Sequence, residues 1–181
     1  ESTHPRVFCA GADLDEMRDA TPDDARNLLS QAVFTEIARS AAISIAVVDG
    51  AAIAGGAELA LACDLRVIGP NAFFRLPEVN LGIVPAAGGS TRLAALLGAS
   101  IAKQVILGGE TIGAEQAIAW GIGAQPDGAP LASAERWADR IRAQPAAAAA
   151  AKRLVNAAAE DASLRDERDA QAILYGARRE Q

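Results

Sequence analysis

Apolar positions along the chain fall into short runs near the start and into helical periods further on. Val7-Phe8-Cys9-Ala10 is an apolar run stopped by Gly11, which predicts a strand running into a turn. Thr21-Pro22-Asp23-Asp24 predicts a helix start, with a hydroxyl cap, a proline at the first position and acids in the first turn. Beyond Ala25, the positions Leu28, Leu29, Ala32, Val33, Ile37 and Ala38 recur at helical spacing, so one amphipathic helix is expected to reach about Ala41. Residues 43–48 are β-branched and apolar on both faces, which predicts a buried strand broken by Asp49-Gly50. After the small apolar stretch 51–54, Gly55-Gly56-Ala57 leads into a short buried helix over 58–63. Segments 64–69 and 72–76 predict two more strands, the second stopped by Pro77. Residues 78–84 read as irregular, and the glycine-containing turn 85–90 opens a helix over 91–97.

The order strand, glycine turn, helix, strand, strand, glycine turn, helix suggests a repeated ββα unit, without a letter-by-letter period. After Gly98 the chain becomes helical, over 100–107 and then 113–120 with Gly121 as cap. Residues 125–130 hold Pro, Gly and Asp and read as a boundary. Helices are expected over 133–142, from Pro145 through six alanines to Val155, and in the charged tail 164–181. The fold class is therefore α/β, with a mixed region 1–125 followed by a helical region 126–181. A chain of 181 residues suits one domain, which buries roughly two-thirds of its unfolded surface without a disulfide or metal.

Composition narrows the function classes. Hydrophobic residues are 51% and aromatics only 4%, so the core must rest on small side chains, chiefly alanine. The net charge of −6 repels phosphate backbones and argues against a nucleic-acid partner. Cys9 and Cys63 match no metal spacing, and His4 is the sole histidine, so no zinc or iron site is expected. No apolar run suits a membrane span and no leader pattern opens the chain, which points to the cytoplasm.

Two features carry candidate chemistry. Each glycine turn opens a helix, whose first N–H groups lack internal partners and sit at the positive end of the macrodipole. Gly55 and Gly56 let a ligand oxygen approach the backbone, although such glycines also serve close strand–helix packing. Glu58 and Glu78 each stand among apolar neighbours. Either they are surface carboxylates, or they are buried together as an acid/base pair. Cys9 and Cys63 read as small core residues, His4 as part of a disordered end, Asp23 and Asp24 as a solvated helix start, and Arg92 and Lys152 as solvated helix positions.

These pieces together resemble the enoyl-CoA hydratase/isomerase (crotonase) superfamily. Phe8–Leu14 resembles its F-x-A-G-A-D-[IL] segment, and Ala46–Asp64 its A-V-x-G-x-A-x-G-G-G-x-E-L-A-x-x-C-D signature. Leu76–Pro85 is similar to P-E-x-x-L-G-[IL]-x-P, Gly88–Leu93 to G-G-[ST]-x-R-L, and Gly109, Ala114, Ala117 and Gly121 fit a later pattern. The resemblance implies a ClpP-like spiral of ββα units followed by C-terminal helices that build a homotrimer or homohexamer. It implies an acyl-CoA thioester substrate, with coenzyme A as part of that substrate and no separate cofactor. By motif position, the oxyanion donors are the N–H groups of Ala12 and Gly55, and the catalytic pair is Glu58 and Glu78. Substrate contacts fall on Ala10, Gly11, Asp13, Leu14, Gly56, Pro77 and Ala86. The implied activity is hydration of a 2-enoyl-CoA. Δ3,Δ2-enoyl-CoA isomerisation, another crotonase branch, or a catalytically silent CoA-binding or assembly subunit are the alternatives. Three positions depart from the family pattern. Ala86 stands where Gly is frequent, Asp15 where many members carry Lys, and Arg75 where a small or polar residue is usual. Arg75 admits three readings: a CoA contact, a preference for an acidic acyl chain, or a structural ion pair. Members usually extend further at both ends, so the complete protein is expected to be longer.

Overall fold

Short apolar runs separated by tight turns cannot build one wide sheet, and the chain instead alternates between two. The computed structural model describes residues 6–159, 172 and 176. Its first sheet has the order β1-β3-β5-β6, with β1 Val7–Cys9, β3 Ala51–Ile53, β5 Phe73–Arg75 and β6 Ile112–Gly113. The second pairs β2 Ile45–Val48 with β4 Leu65–Ile68. All neighbours are parallel except β5 and β6.

The ββα repeat is visible in the register. Ile45 pairs with Leu65, a step of 65 − 45 = 20 residues, and Ala51 pairs with Phe73, a step of 73 − 51 = 22. Each unit places its first strand in one sheet and its second in the other, then adds a helix. That helix is α3 Gly55–Ala62 in the first unit and α4 Gly89–Gly108 in the second. Stacking successive units is what makes the sheets parallel.

Alanine dominates the interior, as the composition requires. Val48, Ile68, Phe74, Leu93, Val105 and Ile112 supply bulk, and Ala52, Ala57 and Ala60 fill the close approach of α3 to the strands. After α5 Ala114–Ala119, the helices α6 Pro130–Arg142 and α7 Pro145–Ala159 follow.

Several elements differ from the expectation. The single helix expected from Thr21 to Ala41 is two, α1 Pro22–Arg26 and α2 Leu29–Arg39, because Asn27 (φ −105°, ψ 31°) leaves helical geometry. The hydroxyl cap expected at Thr21 is present, and it forms one half of a capping box with Asp24. Residues 78–84, read as irregular, begin with a 3-10 turn over Glu78–Leu81. The strands β3 and β6 are too short to show a period. Gly98 (φ 77°, ψ 158°) breaks α4 where two helices are expected.

Lys152 is not solvated. It is 8% exposed, and its Nζ donates to Ile37 O (3.1 Å), Ala42 O (2.9 Å) and Asp64 Oδ2 (2.8 Å). Asp64 also accepts from the N–H and hydroxyl of Ser44. A long amphipathic helix offers no sequence sign that one lysine ties it to two other elements. His4 and most of the tail 164–181 lie outside the described residues. No helix among the described residues is long and apolar enough to cross a membrane.

Candidate active site

The N-terminus of α3 is built by close backbone contacts. β3 ends at Ile53, and Ala54 turns the chain into α3 with φ 51° and ψ −123°. It is the one non-glycine residue with positive φ among the described residues. Such a conformation costs about 1–3 kcal/mol and persists only where neighbours enforce it. Here the Ala54 N–H donates to Arg75 O (2.9 Å), and Ala54 O accepts from Glu58 N–H (3.1 Å). The N–H groups of Gly55, Gly56 and Ala57 therefore stand at the open end of the helix.

The loop after β1 lies directly on that end. A Cβ on Gly11 would sit 3.0 Å from Gly55 N, and Gly11 itself has φ 87°. A Cβ on Gly56 would fall 1.9 Å from Cys9 O, a backbone atom that cannot give way. The two glycines thus bring the segment Ala10-Gly11-Ala12 against Gly55. The Asp13 carboxylate accepts from Asp15 N–H (2.8 Å) and fixes the following turn. Ala10, Gly11, Ala12, Asp13 and Leu14 are all exposed, so this loop forms an open surface over the helix end.

Glu58 lies one turn into α3 and is 4% exposed. Its Oε1 accepts the N–H groups of Ala87 (2.8 Å) and Gly89 (2.9 Å), both from the second glycine turn. A Cβ on Gly89 would come within 3.0 Å of Glu58 Cγ and Oε1, so the absence of a side chain there admits the carboxylate. Two N–H donors converging on one oxygen suit the acceptor-only, ionised carboxylate.

Glu78 opens the 3-10 turn after Pro77 and is 5% exposed. Its Oε2 is buried without a hydrogen-bond partner. Burial raises its carboxyl from the usual 4.5 to about 7, against a smaller opposing hydrogen bond from its own backbone N–H. Both glutamates are thus buried, not on the surface, and the elements that carry them both pack against α4. Their surroundings are opposite in kind: Glu58 meets two N–H donors, whereas burial pushes the Glu78 carboxyl up.

The turn between α4 and the 3-10 segment is held from three sides. Ala86 is buried, and its carbonyl accepts from Gln31 Nε2 of α2 (2.7 Å). Arg92 Nη1 donates to Ala87 O (2.7 Å), so this residue is partly buried and structural, where its sequence position suggests solvent. Gln31 carries no sequence signal, because it reads as a polar position on an exposed face. Arg75 is exposed, and it makes no ion pair among the described residues. Asp15 pairs with Arg18 at the surface (3.0 Å). No cluster of metal-ligating side chains occurs among the described residues. A cleft of about 480 Å³ between α2 and α7 is lined by Arg39, Ser40, Lys152 and Asn156, among others, and contains none of the site residues above.

The enoyl-CoA hydratase/isomerase family profile matches residues 1–180. The chain is 45% identical over 120 residues to the probable mitochondrial enoyl-CoA hydratase 2 of Arabidopsis thaliana, covering 65% of this chain and 40% of that protein. It is 46% identical over 116 residues to the 2,3-dehydroadipyl-CoA hydratase of Escherichia coli, covering 62% of this chain and 44% of the relative. The chain therefore spans less than half the length of these curated relatives. The solved enoyl-CoA hydratase of Bacillus anthracis superposes with a TM-score of 0.79 at 31% identity, over 94% of this chain and 69% of that one.

Proposed function

The chain belongs to the enoyl-CoA hydratase/isomerase family, and from that membership we propose that it adds water across the double bond of a 2-enoyl-CoA thioester. The observation that carries this reading is the pair of buried glutamates in opposite surroundings, Glu58 gripped by two N–H donors and Glu78 left with an unpartnered oxygen.

In this mechanism the thioester carbonyl rests between the N–H groups of Ala12 and Gly55. The contact between Gly11 and Gly55 supports that placement, since it draws the two segments together at a helix N-terminus. Ionised Glu58 removes a proton from a water molecule as the water oxygen bonds to C3. The π electrons shift through C2 onto the carbonyl oxygen, and the enolate is held by the two N–H groups. Each such donor is worth about 3–4 kcal/mol at comparable sites. Protonated Glu78 then delivers its proton to C2, and the carbonyl re-forms. Glu58 ends protonated and Glu78 ionised, so one proton must pass back between them before the next turnover. Acid/base assistance of this kind contributes roughly 10²–10⁴-fold.

The test is loss of the conjugated thioester's ultraviolet absorbance on mixing crotonyl-CoA with the purified chain, with Glu58→Gln and Glu78→Gln beside it. Turnover that both variants lose by at least about a hundredfold supports the reading. Near-native rates in both variants refute it. A 3-enoyl-CoA whose double bond migrates while crotonyl-CoA stays unhydrated replaces it with the isomerase reading.

A further inference from the structure

The helix α2 has an inverted surface. Leu29 and Val33 are 74% and 44% exposed, while Gln31 is only 5% exposed. Burying an amide is unfavourable unless it is hydrogen-bonded, so its placement has a specific partner. That partner is Ala86 O, 55 residues away, at 2.7 Å from Gln31 Nε2.

The carbonyl of Ala86 and the N–H of Ala87 belong to one peptide unit. A trans peptide is planar, and its C=O and N–H point in opposite directions. Gln31 holds the oxygen end of this plane, and Glu58 Oε1 accepts from its N–H end at 2.8 Å. With both ends tied, the plane cannot rotate about its long axis without breaking a buried hydrogen bond. Gln31 and Glu58 are therefore linked through a single rigid group, although they sit on different helices. Arg92, holding Ala87 O, restrains the next peptide.

We propose that Gln31 is a positioning residue for Glu58, acting through the Ala86–Ala87 peptide. The proposal rests on the hydratase reading for its catalytic consequence, but its structural consequence is measurable without turnover. Without the amide donor, the peptide is free to rotate, Ala87 N–H leaves Glu58, and the carboxylate loses a donor that helps to aim it.

The experiment uses Gln31→Leu and Gln31→Met in the whole chain, both of which keep the bulk and remove the donor. Amide hydrogen exchange reads the Ala87 N–H, with the amides of β2 and β4 as internal reference. Steady-state hydration of crotonyl-CoA gives kcat and KM. The expected result is exchange at Ala87 at least about tenfold faster with the reference amides unchanged. Alongside it, kcat falls roughly ten- to a hundredfold at a KM within about twofold of the wild type, as misalignment of a reacting group produces. Exchange at Ala87 that stays within about twofold, or that rises only in step with the reference amides, overturns the proposal. So does a raised KM at unchanged kcat, which would assign Gln31 to substrate binding. If the wild type hydrates no enoyl-CoA, the hydratase reading falls, and Ala87 exchange alone decides on Gln31.

Discussion

Glu78 should make the protein less stable as the pH rises, and Glu78→Gln should remove that dependence. Its carboxyl ionises near 4.5 in the unfolded chain and near about 7 in the folded one, because burial penalises the charged form. A proton bound more tightly by the folded state stabilises it most fully below pH 4.5 and is lost as the pH rises through about 7. A gap from 4.5 to about 7, at about 1.4 kcal/mol per pH unit, amounts to about 3 kcal/mol across the whole range. Between pH 5 and pH 8 the loss is about 2–3 kcal/mol, since the unfolded chain is already partly ionised at pH 5.

Urea denaturation of both proteins at pH 5, 6, 7 and 8 isolates this contribution. All other titrating groups cancel in the difference between wild type and variant. The amide's own burial cost is a constant offset, so the slope of that difference is the informative quantity. Glu78→Gln should gain about 2–3 kcal/mol on the wild type between pH 5 and pH 8. The same variant should be the less active one, and wild-type kcat/KM should fall as the pH passes about 7 and the proton for C2 is lost. If the stabilities run parallel within about 0.5 kcal/mol over this range, Glu78 does not hold a proton through burial and the assignment of it as the acid collapses.

Other perturbations follow from the same geometry. Ala54→Gly should raise stability in thermal or urea melts by about 1 kcal/mol, because glycine adopts its positive φ without strain; a lower midpoint would show that the turn is not strained. Lys152→Met should cost about 3–5 kcal/mol in urea, since it strips Asp64 of its buried cation and two carbonyls of their donor. A loss under about 1 kcal/mol would mean that α7 is not anchored by this lysine. Light scattering should find a homotrimer or homohexamer, with the exposed Leu29 and Val33 of α2 and Leu154 and Val155 of α7 as candidate contact positions; a monomer at micromolar concentration would refute this expectation.

What the sequence made legible were features carried by adjacent residues. The alternation of glycine turn and helix, the strand at β2 and the hydroxyl cap at Thr21 are all local, and each is where its pattern suggests, although β2 alternates half-buried and buried positions where burial on both faces is expected. Glu58 and Glu78 stood out because a carboxylate among apolar neighbours is expensive to bury, and both are buried. Features made by distant partners stayed hidden. Gln31 reaches a carbonyl 55 residues ahead, and Lys152 reaches carbonyls 115 and 110 residues behind it. Each looks like an ordinary polar position on an amphipathic helix, because periodicity records which face is apolar and not what that face meets. The break at Asn27 was also hidden, since the apolar spacing runs on through it while the backbone does not.

The alanine-rich composition has a consequence for the site itself. A helix end can serve as an oxyanion cradle only if another chain segment reaches it, and here the end of β1 approaches until a single Cβ at Gly56 would overlap Cys9 O. Larger residues at Ala52, Ala57 and Ala60 would hold α3 away from the strands and open that contact. The small core therefore sets the distance between Gly11 and Gly55, and with it the space that the two proposed oxyanion donors would share. The same thin interior leaves Glu78 among apolar atoms with no donor for Oε2, so its proton is retained toward neutral pH. Strain at Ala54 and the unpartnered Oε2 of Glu78 both lower stability, and the close packing around them is what the fold sets against that loss. On this view, enlarging Ala57 or Ala60 should impair the oxyanion cradle even where the added methylenes are accommodated, because the cost falls on an inter-segment distance and not on a contact with substrate.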